Sequence, residues 1–366
     1  MEHKNNCIVF ASDYNLLKEQ LKNNNINFFE YPFINAFGVE LYNDQIIKFA
    51  KTNMVEYISK QSKVFAQIDV SKKILKTHKF YKKDIKGQNV TIAFIDTGIN
   101  PHLDFVIPKN RIKKFVDLIN KKTLSYDDNG HGTFVSSIAC GGGLISNKKY
   151  SGIAPKADIV SIKALAENGE TGAYKILEAM QWVYDNYKKY NIKVVCMSFG
   201  SSPLDQNDPL VVGAESLWNL GIVVVAAAGN SGPQQVTIKS PGVSSKIITV
   251  GGMDDQRHMD GTYSQKEFCV ADFSSRGPVP PYFKPDIVAP AVNITGAKFE
   301  GFYTKMSGTS VATPMIAGVC ALLLNYNPKL SPDQIKSRLL RHCKKISTDY
   351  NDDGYGLVDL DGLIID

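Results

Sequence analysis

The feature of this 366-residue sequence that most restricts its fold is a repeated alternation of apolar runs and helical patterns from about residue 88 onward. Alternation of this kind is typical of a mostly parallel sheet covered by helices on both faces. The predicted strands are residues 90–95, 159–164, 194–198, 222–228, 247–250 and 286–289, and the predicted helices are residues 172–190, 209–220, 309–325 and 331–343. The sequence therefore predicts an α/β fold, a three-layer α/β/α sandwich with a mostly parallel central sheet.

Two polar residues lie where such a fold can place its chemistry. Asp96 directly follows the strand at 90–95, and open α/β sheets bind ligands beyond the carboxyl ends of their strands. Ser310 lies at the start of the helix at 309–325, whose dipole favours negative charge developing on a substrate oxygen. A serine hydroxyl is a poor nucleophile until a base removes its proton, so this interpretation also requires a histidine and a group that orients it.

Two further residues complete a candidate site. His131 lies between two glycines, which permit a close approach of the backbone. Asn230 follows the strand at 222–228, and its amide can donate to an oxyanion. Each residue alone has a commoner structural interpretation, as a turn residue or, for Ser310, as a helix cap. Together they predict a nucleophile, a base, an orienting carboxylate and an oxyanion donor.

The segments around these residues resemble the signature blocks of the subtilases, the subtilisin-like serine proteases. These four blocks are Asp96-Thr97-Gly98, His131-Gly132-Thr133, Ala228-Gly229-Asn230 and Gly308-Thr309-Ser310. Further matching blocks begin at Gly152, Ser198, Phe273 and Lys284. The resemblance covers roughly residues 88–366 and is strongest to intracellular bacterial members.

The resemblance implies a serine endopeptidase that hydrolyses peptide bonds through an acyl-enzyme. In this interpretation Asp96 orients His131, and His131 takes the proton of Ser310 as the hydroxyl attacks the peptide carbonyl. Asn230 and the backbone N–H of Ser310 would bind the oxyanion.

The resemblance also implies where a substrate binds. Ser198, Phe199 and Gly200 match a family segment whose backbone pairs with extended peptide, and Gly229 belongs to the block that ends in Asn230. Lys239 falls in a segment that forms the floor of the pocket for the residue before the scissile bond. An ammonium group there would favour Glu or Asp at that substrate position. The alternative is that Lys239 reaches into solvent.

No cofactor and no metal ligand are predicted. Residues 140–150 lack the Asn-rich calcium loop that many secreted subtilases carry, and their lysines would oppose a cation. Residues 349–353 are acidic, but without a full ligand set they are expected to form a solvated loop. Calcium binding elsewhere stays open.

The first 70 residues are predicted to form a small α+β, ferredoxin-like domain. Its expected strands are residues 7–11, 26–31, 36–41 and 64–68, and its expected helices are residues 13–23 and 43–59. This order resembles the propeptide domain of subtilases, which assists folding and then inhibits the enzyme. Residues 1–70 are therefore expected to be propeptide-like, residues 71–86 a linker and residues 87–366 the catalytic domain. The alternative is a permanent accessory domain.

Composition argues against several other classes of protein. The net charge of +6 comes from lysine pairs scattered among acids, which are more typical of a solvated face than of a nucleic-acid groove. Six cysteines without a Cys-x-x-Cys pair favour buried free thiols over a disulfide framework. The N-terminal apolar run is too short for a secretory signal, and no segment approaches the roughly 18 apolar residues of a membrane span. We expect a cytoplasmic enzyme that acts on peptides or proteins, with no nucleic-acid or membrane partner and with its N-terminal domain as an intramolecular inhibitor.

Three alternatives share this fold. A maturation peptidase dedicated to one peptide and an acyl transferase that closes peptide rings would both use the same triad. The masses of the products separate hydrolysis from ring closure, because only hydrolysis adds water. An inert peptide-binding protein is expected to lose a triad residue, and this sequence retains all three.

Overall fold

The computed structural model describes residues 4–32, 35–60, 68–203, 208–258, 262–298 and 301–363. The chain divides into two compact units, Met1–Phe65 and Ala66–Asp366. Each unit is built around an apolar core of its own.

The smaller unit combines an antiparallel sheet with two helices. Its elements are β1 (Asn5–Ala11), α1 (Tyr14–Asn23), β2 (Phe28–Tyr31), β3 (Ala36–Leu41), α2 (Asn43–Ala50) and β4 (Val55–Lys60). The strands pair antiparallel in the order β2-β3-β1-β4. Leu17 and Leu21 of α1 and Phe49 of α2 share one core with Val9 and Phe37 of the sheet.

The order of these elements agrees with the sequence prediction, but the bounds predicted for the last helix and strand are wrong. The N–H groups of Lys51 and Thr52 bond back to the carbonyls of Lys48 and Phe49, which closes α2 at Ala50 instead of near residue 59. The last strand of the sheet is then Val55–Lys60. Of the strand predicted at 64–68, Ile68 begins a helix, and residues 64–67 lie outside the described residues.

The prediction of a linker at residues 71–86 is also wrong. This stretch carries most of α3 (Ile68–Leu75) and all of α4 (His78–Lys82). Ile74, Leu75 and Phe80 are buried in the core of the larger unit. The lysines made the stretch look like a solvated linker, but the apolar residues between them form a stripe on the helices that faces the core. The boundary between the units therefore falls before α3 and not at residue 70.

The larger unit is built on a ten-stranded sheet within the described ranges. Its strands are β5 (Thr91–Asp96), β6 (Ile112–Asp117), β7 (Asp158–Lys163), β8 (Ile192–Met197), β9 (Val223–Ala227), β10 (Ile248–Asp254), β11 (Cys269–Val270), β12 (Ile287–Pro290), β15 (Cys343–Lys344) and β16 (Leu357–Val358). The sheet order is β15-β16-β12-β10-β9-β8-β5-β7-β6, with β11 on the edge of β10. All pairs are parallel except β10 with β11 and β15 with β16. A separate antiparallel hairpin joins β13 (Ile294–Ala297) and β14 (Tyr303–Met306).

Helices flank this sheet. They are α5 (Leu103–Val106), α6 (His131–Cys140), α7 (Ala173–Asn186), α8 (Pro209–Asn219), α9 (Thr309–Tyr326), α10 (Pro332–Arg341) and α11 (Tyr350–Asp353). The helices α6 and α9 pack together against the central strands, and α7 and α8 form a second packed pair that also contacts the sheet. The predicted α/β fold with a mostly parallel sheet is confirmed.

One helix corrects the expectation about membrane spans. By length and composition, α9 is apolar enough to cross a membrane, with a mean hydropathy of 1.4 over 18 residues. Of that window, 83% is buried inside the protein. The apolar composition of α9 is therefore that of a core helix packed against the sheet.

Candidate active site

The parallel sheet and the start of α6 bring Asp96 and His131 together. Asp96 ends β5 with its side chain 2% exposed, and its Oδ1 atom lies 2.7 Å from Nδ1 of His131. The same oxygen accepts the backbone N–H of Thr97 across 2.8 Å. A carboxylate at Nδ1 fixes the proton on that nitrogen, which leaves Nε2 as a proton acceptor.

The electrostatic surroundings of His131 favour the imidazolium ion. Burial by itself lowers the pKa of His131, but the adjacent Asp96 carboxylate raises it through charge and hydrogen bonding, and Asp127 adds a smaller upward effect. The net direction is upward from the ordinary histidine value. The negatively charged surroundings therefore make the His131 imidazole a stronger proton acceptor.

The loop before His131 is shaped by hydrogen bonds to Asp127. The Asp127 carboxylate accepts the backbone N–H groups of Gly130 and Thr133 and the hydroxyls of Thr97 and Thr133, at 2.7–2.9 Å. A Cβ atom on Gly132 would lie 2.2 Å from the carbonyl oxygen of Gly98, so only glycine lets α6 approach the end of β5 this closely. The predicted role of the flanking glycines thus has a steric basis.

Asn230 and Ser310 border the same space. Asn230 Oδ1 accepts two hydrogen bonds from Thr309, so the Nδ2 group points away from that partner. A Cβ atom on Gly308 would stand 3.2 Å from Asn230 Nδ2 and 3.2 Å from Ser310 Oγ. Gly308, whose φ of 151° is unfavourable for other residues, therefore keeps open the space between the amide and the hydroxyl.

Ser310 and His131 lie at the starts of two helices that pack against each other, α9 and α6. Both residues are described, and no hydrogen bond joins them in this structure. Catalytic hydrogen bonds of this kind commonly tighten only when substrate binds.

The predicted substrate-binding residues also cluster. Lys239 donates its backbone N–H to Ala228, and the following residue, Ser240, exchanges two backbone hydrogen bonds with Ser201. A Cβ atom on Gly200 or on Gly229 would lie 2.5 or 2.4 Å from the Lys239 stem. The side chain of Lys239 therefore runs between these two glycines, and its ammonium group has no ion-pair partner among the described residues.

Ser198 and Phe199 complete this cluster from the end of β8. The chain passes from β8 into Ser198, which is buried, and then into Phe199, which is half-buried against the main core. The structure thus places Ser198, Phe199, Gly200, Gly229 and Lys239 in one region next to Asn230.

The structure shows what surrounds the two segments considered for calcium in the sequence. Asp104, which lies near the 140–150 segment, accepts the N–H of Leu144 across 2.7 Å and the hydroxyl of Tyr303 across 2.8 Å. Within the described ranges, no group of three or more metal-ligating side chains is found. Residues 349–353 are not a solvated loop as expected. They include α11, where Asp353 is fully buried and paired with Lys345.

Sequence reasoning missed the residues that support the site. Thr309 holds the Asn230 amide, and Thr97 and Asp127 hold the histidine loop. Thr97 and Thr309 stand inside the blocks around the candidate residues, and Asp127 lies four residues before His131, so their positions were visible in the sequence. Their roles were not, because a threonine hydroxyl or a second aspartate in such a block shows its partner only when the chain is folded.

Comparisons with known proteins agree with this geometry. The model of the subtilase family matches residues 87–357. Serine protease AprX of Bacillus subtilis is 43% identical over 278 residues, which cover 70% of this chain and 61% of that protein. A thermostable alkaline protease of Halalkalibacterium halodurans is 31% identical, over 85% of this chain and 78% of that protein.

Solved structures give the same result. The structure of sphericase aligns with a TM-score of 0.64 and 29% identity, over 75% of this chain and 92% of that one. The S41 psychrophilic protease aligns with a TM-score of 0.66 and 29% identity over the same shares. This chain therefore belongs to the subtilase family.

Proposed function

We propose that this protein is a serine endopeptidase in which Asp96, His131 and Ser310 form the catalytic triad. The observation that carries the proposal is the 2.7 Å contact between Asp96 Oδ1 and His131 Nδ1. Because Asp96 binds Nδ1, the Nε2 atom of the partly exposed imidazole can take a proton. His131 begins α6, which packs against α9, and Ser310 lies in the first turn of α9.

In the proposed reaction, His131 removes the proton of Ser310 as Oγ attacks the peptide carbonyl. The tetrahedral oxyanion receives hydrogen bonds from Asn230 Nδ2 and from the N–H of Ser310, one of the first N–H groups of α9 without an intrahelical acceptor. His131 then protonates the leaving amine. Water hydrolyses the acyl-enzyme in a second pass through the same groups.

The Ser310→Ala variant tests this assignment on peptide hydrolysis, with product masses recorded. Ser331→Ala is a matched control, because Ser331 caps α10 and contacts none of the proposed groups. We expect the first variant to lose nearly all activity and the second to keep it. Equal activity in both would contradict the triad, and products that lack the added water would favour an acyl transferase.

The finer specificity proposed is for an acidic residue before the scissile bond. It is supported by the Lys239 ammonium, which has no ion-pair partner in the part of the chain that the structure describes, and by the packing of its stem between Gly200 and Gly229. A partly buried cation attracts a carboxylate, which would complete its hydrogen bonding.

The N-terminal unit is proposed as an intramolecular inhibitor that makes the chain an autoprocessed zymogen. One face of its sheet supports this role. Phe29 is 75% exposed and Tyr57 is 51% exposed, and Tyr57 stacks on Phe10 with ring centroids 4.2 Å apart. Strand register places Phe29 opposite Gly38, Gly38 opposite Ile8, and Phe10 opposite Tyr57. Because Ile8 and Phe10 are two residues apart on β1, the side chains of Phe29, Phe10 and Tyr57 share one face of the sheet. Exposed apolar faces of this kind commonly serve as contact surfaces.

A cytoplasmic location is proposed as well. It is supported by six cysteines that are all free thiols, a pattern common where the redox environment is reducing.

A further inference from the structure

Lys163, the last residue of β7, carries a fully buried ammonium group. The ammonium donates to the carbonyl oxygen of Thr97 across 2.7 Å, to that of Leu165 across 3.1 Å and to Asp128 Oδ1 across 2.6 Å. An ammonium group has three donors, so all of them are used. The charge also lies 5.3 Å from the centre of the Tyr126 ring, an additional favourable contact.

The three acceptors belong to three separate segments of the candidate site. Thr97 follows Asp96 at the end of β5, and Asp128 lies three residues before His131. Leu165 follows β7, and its own N–H bonds to the backbone oxygen of Asp96 across 3.2 Å. The buried cation thus joins the strand that carries the carboxylate to the loop that carries the histidine.

This contact differs from the one made by Asp127. Asp127 ties the loop to the Thr97 hydroxyl and to the first turn of α6. Among the described residues, the Asp128 side chain forms a hydrogen bond with Lys163 alone, and this bond ties the same loop to β7. The histidine loop is therefore held from two directions.

Stability alone does not account for a charge at this place. Removing a lysine from water is costly, and replacing a buried ion pair by apolar groups is often neutral or stabilising. An apolar side chain would fill the same volume but would not bring three oxygen atoms to one point. Two of those oxygens belong to the segments that carry Asp96 and His131.

We propose that Lys163 and Asp128 are positioning residues that hold His131 against Asp96 for proton transfer. The inference rests on the proposed function. Misplacing a catalytic group by about 1 Å costs on the order of 100-fold in rate, so the loss should appear in kcat and not in KM.

The test compares Lys163→Met, Asp128→Ala and Asp128→Asn with the wild type. We expect kcat for a peptide substrate to fall roughly 10- to 100-fold in the first two variants, with KM changed by less than about twofold. Asp128→Asn keeps an oxygen that can accept from Lys163, so it should retain most of the wild-type rate.

A second readout does not depend on turnover. In protein labelled with ¹⁵N-histidine, the Nδ1 proton of His131 that is bonded to Asp96 gives a downfield NMR signal. This signal should broaden or shift upfield in Lys163→Met and Asp128→Ala and persist in Asp128→Asn. It separates failure of the positioning role from failure of the proposed function, because it is visible in an inactive protein.

Lys284→Met serves as the matched control. Lys284 is also buried and paired with an aspartate, Asp286, across 2.7 Å, but it precedes β12 at the opposite, amino edge of the sheet. This variant should lose thermal stability and keep both kcat and the His131 signal. Wild-type kcat and an unchanged signal in Asp128→Ala would overturn the proposal, as would an equal loss of kcat in Lys284→Met. Because Asp128 has a partly exposed side chain, Asp128→Ala decides the matter even if Lys163→Met does not fold.

Discussion

The backbone N–H and the hydroxyl of Thr309 both donate to Asn230 Oδ1, each across 2.9 Å. A backbone N–H can only donate, so the atom facing it must be the amide oxygen, and the NH₂ group must face the other way. The orientation of the proposed oxyanion donor is therefore set by the residue that precedes the nucleophile.

This arrangement predicts graded losses of activity. Asn230→Ala removes the donor and should lower kcat a few hundredfold, or about 3 kcal/mol, without abolishing turnover. Thr309→Val keeps the N–H bond and loses only the hydroxyl, so we expect a loss nearer tenfold, or about 1.4 kcal/mol. Steady-state kinetics on one peptide substrate measures both. A larger effect from Thr309→Val than from Asn230→Ala would show that Asn230 is not the donor.

The raised pKa of His131 predicts a pH dependence. The base must be neutral to act, so kcat/KM should rise with pH through a midpoint above the ordinary histidine value of about 6.5. Stability has the opposite sign. A raised folded-state pKa contributes stability that is complete below the unfolded value and is lost as pH rises through the folded value.

Both parts of this prediction are measurable. The pH profile of kcat/KM gives the midpoint for activity, and NMR titration of His131 in the inactive Ser310→Ala variant gives the pKa without autolysis. A titration midpoint below about 6.5 would contradict the electrostatic account.

Lys239 predicts a charge preference that depends on one side chain. For peptides that differ only in Glu or Gln before the scissile bond, we expect wild-type kcat/KM to favour Glu by roughly tenfold at low salt, less as salt rises. Lys239→Met should remove the preference. Lys246→Met is the control, since Lys246 approaches Glu215 at 3.9 Å, away from the two glycines that contact Lys239. Equal rates for both wild-type peptides would mean that the ammonium reaches solvent.

Autoprocessing predicts a defined product. Because β4 ends at Lys60 and α3 begins at Ile68, each folded in its own unit, we expect the cut between these residues. Intact-mass and N-terminal analysis should find the shortened chain in the wild type and the full-length chain in Ser310→Ala. If both stay full length while the wild type cleaves peptides, the smaller unit is a permanent accessory domain.

A paired substitution tests the inhibitory surface. Phe29→Glu places a charge on the exposed sheet face. It should shorten the delay between the addition of peptide substrate to the full-length protein and the appearance of peptidase activity. Ile47→Glu changes a side chain that is 57% exposed on α2 and should leave the delay unchanged. Identical delays in the two variants would remove the sheet face from the inhibitory contact.

The sequence predicted β5, β7, β8, β9, β10 and β12 because these strands are buried along almost their whole length and appear as apolar runs. The strand at Ile192–Met197, predicted at 194–198, is an example. The sequence did not predict β6, which exposes two lysines, or β11, β15 and β16, which have two residues each. The four candidate catalytic residues were found because each lies at or just after the end of a strand, or in the first turn of a helix.

Other parts required the folded chain. Lys163 is indistinguishable from a surface lysine in sequence, since a buried cation is recognised only by the oxygens around it. Ile74, Leu75 and Phe80 were hidden among lysines, and a short helix gives too few turns for its apolar stripe to stand out. The 51–54 turn was missed because Met54 and Tyr57 continue the apolar spacing of α2 into a strand.

The packing of α3 and α4 determines where a shortened form of this protein should begin. A polypeptide that begins at residue 87, where the family match begins, would expose to solvent the apolar core residues that Ile74, Leu75 and Phe80 now cover. It would also lack the ammonium of Lys76, which lies 2.7 Å from Asp359 near the other end of the chain. Release of the smaller unit, as proposed, would leave residues 68–86 on the remaining chain, where they cover its apolar core and pair with its C-terminal region.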